Sequence, residues 1–286
     1  MSEITFDYAQ VGGTRLHYAK AGDGERLVIL LHGFPEFWYS WRHQLAVLGD
    51  EYTVVAPDLR GYNLSDKPPQ VADYEVDKSV EDVIGLIHHF GREKAAVVGH
   101  DWGASVAWAL AAKHPEYLWK VGAMQVPPPA ILRKNFSFRQ FMASWYMFFF
   151  QIPFLPENLL KRNDFALLEN ALKNSTAEKD VFTDEDIAKY KKAWNEPFAL
   201  TGMLNFYRAN VLKRFFSKQE DAPKIKVPAL FIYGEQDKAI LPETVRGIGA
   251  LIDAPYEEFR IPTSGHWVQQ EAADAVTEIL REFLAE

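Results

Sequence analysis

The chain has 286 residues, 48% of them hydrophobic, which is enough apolar material for one large core or a core with an inserted lid. Its 39 acidic residues against 31 basic ones leave a formal net charge of −8, and no Lys/Arg-rich run offers a groove for nucleic acid. With no cysteine, disulfides and thiolate metal sites are excluded.

The opening stretch MSEITFDYAQVGG has neither the basic start nor the apolar core of a signal peptide, so a cytoplasmic location is the expectation. Within and beyond it, ITFDYAQV and TRLHYAKAG are separated by Gly12-Gly13 and read as a hairpin at a sheet edge. Short apolar runs follow at 26–33, 52–58, 95–101 and 120–126, as expected for strands buried on both faces. Segments from Trp41 to Leu48 and from Val80 to Phe90 read as helices between them. This alternation predicts an α/β protein whose mostly parallel central sheet is flanked by helices, with residues 1–129 as its first part.

After Pro127-Pro128-Pro129 the strand signal stops, and residues 130–216 read as an inserted helical cap. Its most apolar stretch, Phe138 to Leu155, is interrupted by Arg139, Gln140, Gln151 and Pro153. It falls short of the roughly 20 apolar residues of a membrane span, so no membrane partner is expected and the stretch reads as aromatic pocket lining. Residues 217–286 return to the α/β core, with strand-like segments at 227–237 and 256–266 and an amphipathic helix from Glu271 to Leu284.

Three local patterns carry chemistry. In Val97-Val98-Gly99-His100-Asp101-Trp102-Gly103 an apolar strand meets a helix through G-x-D-x-G, the nucleophile-elbow arrangement with aspartate at its centre. Taken alone, the same residues also fit a tight turn with Asp101 as a helix N-cap. In Leu31-His32-Gly33-Phe34-Pro35 a loop leaves a strand, and the backbone N–H groups of Phe34 and Trp102 are placed as oxyanion donors, whereas Pro35 has none to give. His32 reads as structural. Finally, Asp237 ends Tyr233-Gly234-Glu235-Gln236-Asp237 and His266 follows Gly265, giving the order nucleophile, acid, histidine.

Together these motifs resemble the epoxide hydrolase branch of the α/β-hydrolase superfamily. The resemblance covers nearly the whole chain, through HGFPEFWYSWRHQ at 32–44, APDLRGYNLSDKP at 56–68, GHDWGASVAW at 99–108, YGEQDK at 233–238 and SGHW at 264–267. It implies an α/β-hydrolase fold and two tyrosines above the nucleophile, matched here by Tyr146 and Tyr207. It also implies a two-step reaction. The Asp101 carboxylate attacks an apolar epoxide while the tyrosines support the departing oxygen, and His266, oriented by Asp237, then activates water to release a vicinal diol. Substrate and water are the expected partners, and no metal, nucleotide or flavin motif is present, so hydrolysis without a cofactor is expected.

Two other readings share these residues. A haloalkane or haloacid dehalogenase resembles this chain in its aspartate nucleophile, but Phe34 offers no side-chain donor for halide, Trp102 stands where the haloacid enzymes place arginine, and Met124-Gln125-Val126 lacks the carboxylate they tend to carry there. A non-catalytic small-molecule receptor would share the fold without needing the full set. Arg60, in Asp58-Leu59-Arg60-Gly61-Tyr62, is expected in an ion pair, and Glu36 as scaffold.

Overall fold

A computed structural model describes residues 2–216 and 223–285. Strands β1 (Ile4–Val11) and β2 (Thr14–Ala21) form the expected hairpin, closed by Gly12 and Gly13 at φ +49° and +92°, a conformation that glycine adopts without steric cost. Strands β3 (Leu27–Leu31), β4 (Thr53–Pro57), β5 (Ala95–His100) and β6 (Leu118–Met124) follow, then β7 (Ala229–Gly234) and β8 (Tyr256–Ile261). They make one eight-stranded sheet in the order β1-β2-β4-β3-β5-β6-β7-β8, antiparallel from β1 to β4 and parallel thereafter.

Every residue of β3, β4, β5 and β7 is buried, because both faces are covered. Ile29, Leu31, Val55, Val97 and Val121 share one apolar cluster with residues of α2 (Val76–His89) and α3 (Trp102–Lys113). Their neighbours Val28, Leu30, Val54, Val98 and Leu230 share the other with α1 (Arg42–Leu48) and α11 (Ala273–Ala285). The alternation along each strand decides which face a residue serves. The α/β-hydrolase class expected from sequence is the observed one, with strand and helix ends displaced by a few residues. The helix expected from Glu271 to Leu284 is α11, which begins at Ala273 after a short α10 (Val268–Glu271).

Among the described residues, the named elements between β6 and β7 are the helices α4 (Pro129–Lys134), α5 (Phe138–Ala143), α6 (Trp145–Phe149), α7 (Leu155–Ser175), α8 (Asp184–Trp194) and α9 (Ala199–Phe216). α7 is interrupted at Asn163, Asp164 and Phe165, which have left-handed backbones. The Trp194 indole donates to the Pro35 carbonyl at 2.6 Å, tying α8 to the loop after β3. The expected return to the sheet layer at 217 lies outside the described residues. Among those described, no helix is long and apolar enough to cross a membrane.

Candidate active site

Asp101 occupies the turn between β5 and α3 with φ +51° and ψ −113°, a backbone few non-glycine residues adopt. Asp101 holds the N-cap position of α3, but its side chain makes no capping bond to the helix. Instead Oδ1 accepts the Phe34 N–H at 2.9 Å. Three glycines make this approach possible. A Cβ on Gly99 would lie 2.1 Å from the Gly103 carbonyl oxygen, one on Gly103 2.1 Å from that of Leu31, and one on Gly33 2.3 Å from Asp101 Cβ. Trp102 follows Asp101 directly as the first residue of α3.

On the other side of the carboxylate, His266 Nε2 stands 3.8 Å from Asp101 Oδ2. That is beyond hydrogen-bond length, and a water bound there would face both groups. His266 Nδ1 is 2.8 Å from Asp237 Oδ2, where it must be the donor to a carboxylate. Burial alone would lower the imidazole pKa. The adjoining Asp237 carboxylate and its hydrogen bond, with Asp101 and Glu36 adding to them, outweigh burial and raise it to about 9.

Sequence reasoning passed over two residues that hold this pair. Gln125, buried at the end of β6, donates to Asp237 Oδ2 at 2.6 Å and to the Gly265 carbonyl at 3.0 Å, and accepts the Gly234 N–H at 2.6 Å. With Ala239 and Ile240 N–H on Oδ1, four donors converge on Asp237. Glu271 accepts the N–H groups of Gly265 and Trp267, the residues on either side of His266, both at 2.9 Å, and that of Ala177 beyond α7 at 2.7 Å.

Glu36 proves a more connected scaffold than its sequence suggests. It accepts from Gly33 N–H, His100 Nδ1, Gln269 and Gln270, and His100 Nε2 reaches the His266 carbonyl at 2.8 Å. The His100 imidazole therefore links the loop of Phe34 to that of His266. His32 is structural as expected, between the Gly33 carbonyl and the Leu59 N–H, and burial lowers its pKa. Arg60 pairs with Asp82 at 2.6 Å, away from this site.

A cavity of about 340 Å³ opens on Asp101 and His266, with Tyr146, Tyr207, Phe149 and Phe150 among its walls. The Tyr207 ring is 5.2 Å from Phe34, 5.1 Å from Trp102 and 6.0 Å from Tyr146, and both phenols are pushed above the usual tyrosine range: burial comes first for each, followed by the Asp101 charge at Tyr146 and by Tyr146 and then Asp101 at Tyr207. They stay protonated as donors. A small pocket of about 40 Å³ touches Asp101 and Tyr207 from another side, beside Val126, Phe136 and Met147. The aromatic stretch is lining only in part. Phe154 is 77% exposed, and Phe138 and Met142 also face outward, because the segment breaks into α5, α6 and a loop rather than one pocket wall.

The family model for the alpha/beta hydrolase fold matches residues 26–273. The chain is 38% identical to Epoxide hydrolase 1 of Caenorhabditis elegans over 97% of its length and 69% of that protein. The chain belongs to the epoxide hydrolase branch of the alpha/beta-hydrolase superfamily. It is also 33% identical to Epoxide hydrolase A of Mycobacterium tuberculosis, covering 99% of this chain and 98% of that one. AB hydrolase superfamily protein YfhM of Bacillus subtilis is 40% identical over 99% of both chains. Among solved structures, the Bacillus megaterium epoxide hydrolase in complex with an inhibitor superposes with a TM-score of 0.88 at 31% identity, covering 98% of this chain and all of that one.

Proposed function

We propose that this epoxide hydrolase converts apolar epoxides to vicinal diols through an ester on Asp101. The observation that carries the reading is the division of labour between the two carboxylate oxygens: Oδ1 is held by the Phe34 N–H, and Oδ2 is left facing His266. In this reading Oδ2 attacks an epoxide carbon and the carbon–oxygen bond of the ring breaks. Tyr146 and Tyr207 hold the departing alkoxide by hydrogen bonds, and residues 130–216 serve as the cap that carries both phenols over the cavity.

Alkylation removes the Asp101 charge, one of the interactions that keep the His266 pKa high. The imidazolium then gives up its proton, which the alkoxide can take, and His266 becomes the base the second half needs. Neutral His266 draws a proton from water as the oxygen attacks the ester carbonyl. The oxyanion formed at Oδ1 meets the amides of Phe34 and Trp102, and collapse expels the diol oxygen with a proton returned from His266. Asp237, saturated by its four donors, holds the ring in the tautomer that leaves Nε2 toward the ester.

Intact-mass spectrometry of a His266→Gln variant tests this. Incubation with a halogen-free aryl epoxide is expected to add the whole epoxide mass to the protein, because the ester forms and is not hydrolysed. Undiminished turnover, or no adduct from an epoxide that the unmodified protein converts to diol, would refute the mechanism. An alkyl-only gain from a haloalkane, with no gain from the epoxide, would favour dehalogenation instead.

A further inference from the structure

The segment formed by α5 and α6 is amphipathic in the inverse sense. Phe138, Phe141, Met142 and Trp145 recur at the i, i+3, i+4, i+7 spacing of one helix face, and the bond from Ser144 N–H to the Gln140 carbonyl carries the turn across the junction. That face points to solvent, with the four side chains 77%, 43%, 54% and 62% exposed. On α5 the side turned to the body of the protein is polar, whereas α6 turns Tyr146 and Phe149 inward. Buried Gln140 donates to the Ala239 carbonyl and to Ser144 Oγ, and accepts from Leu241 N–H and Thr244 Oγ. Three of these hydrogen bonds, to Ala239, Leu241 and Thr244, hold the helix to the body, and its large apolar residues on the other face stand exposed.

We propose that this face is a peripheral docking surface for an anionic lipid layer. Charge supports that occupant. Between residues 130 and 162 the chain carries Arg133, Lys134, Arg139, Lys161 and Arg162 against the single acidic Glu157, in a protein whose net charge is −8. Glu157 is itself bound to Arg208. Arg139 contacts Glu243 yet remains largely exposed. A second copy of the chain docked by symmetry would bring two such basic segments together, whereas an acidic headgroup layer attracts them. Position supports it too. Trp145 belongs both to the exposed face and to the wall of the large cavity, so the layer would lie at the cavity mouth, where apolar molecules dissolved in it can enter without crossing water. This substrate route rests on the proposed epoxide hydrolysis, but the docking does not. No spanning helix is required, so the sequence-based expectation of no membrane partner, which rested on the lack of a span, is not an obstacle.

Co-sedimentation of the full chain with phosphatidylcholine vesicles, with and without phosphatidylglycerol, tests the docking. Binding is expected only with phosphatidylglycerol, weakened by salt, and lowered about tenfold or more in a Phe138→Ser, Met142→Ser double variant. Thermal unfolding of that variant should match the unmodified chain, since both side chains are exposed. A Lys134→Gln, Arg139→Gln variant should lose affinity for the anionic vesicles while keeping the apolar face. Absence of binding to anionic vesicles overturns the proposal, as does binding that the double variant retains. Sedimentation velocity supplies a further check: a dimer that the double variant dissolves would make the face a self-association surface instead.

Discussion

Gln125 satisfies three partners, at the end of β7, in the loop that follows it and in the loop after β8. Substitution by leucine keeps the bulk but leaves the Gly234 N–H and the Gly265 carbonyl without that partner, and removes one donor from Asp237. A buried polar group left unpaired costs about 1–3 kcal/mol, so Gln125→Leu should be destabilised by at least that much in urea titration. Its kinetic effect should fall on ester breakdown, since Asp237 acts through His266 and the first step uses Asp101. Rapid-quench measurement of the two half-reactions would decide; an equal loss in both would mean that Gln125 shapes the whole site. Asp101, Asp237 and His266 were legible in the sequence because each sits in a turn with a local signature. Gln125 and Glu271 were not, because their partners are distant in sequence or are bare backbone amides, and a lone Gln or Glu has no pattern. Reading Met124-Gln125-Val126 only as the absence of a carboxylate overlooked what the amide does there.

At the scale of elements, the contact that sets Tyr207 is between two glycines. A Cβ on Gly202 would fall 2.5 Å from the Gly61 carbonyl oxygen, and one on Gly61 would fall 3.0 Å from Gly202 Cα. This lets α9 lie directly on the loop after β4, and Tyr207 follows Gly202 by about a turn and a half of the same helix. In Gly202→Ala the helix must shift outward, carrying the phenol with it. Misplacing a reacting group by an ångström costs up to roughly 100-fold, so formation of the ester should slow by about 10- to 100-fold while its hydrolysis changes less. If both steps slow together, α9 also positions His266 or its water. The alternation of strands and helices was legible because periodicity and burial on both sheet faces follow directly from composition. The phase of α5 and α6 was not. Phe138 and Phe154 read as lining because apolar residues normally turn inward, and only the hydrogen bonds of Gln140 show which way the helix is rotated.

For the molecule as a whole, His266 makes stability depend on pH in a direction the sheet order dictates. The loops after β3, β5 and β7 bring Glu36, Asp101 and Asp237 around one imidazole, and together they raise its pKa to about 9 from an ordinary 6.5. The folded state therefore binds this proton more tightly than the unfolded chain does. The resulting stabilisation is fully present below about pH 6.5, declines as pH rises, and is lost once pH passes about 9; for a shift of this size it is on the order of 3 kcal/mol. Urea titrations at about pH 6 and about pH 9.5 should show the unmodified chain losing roughly that much more stability than His266→Gln, which has no proton to release. Equal losses in the two proteins would mean that the three carboxylates do not hold a proton on His266. In that case the ring would already be neutral before Asp101 is alkylated, and the link between ester formation and base activation would have to be abandoned.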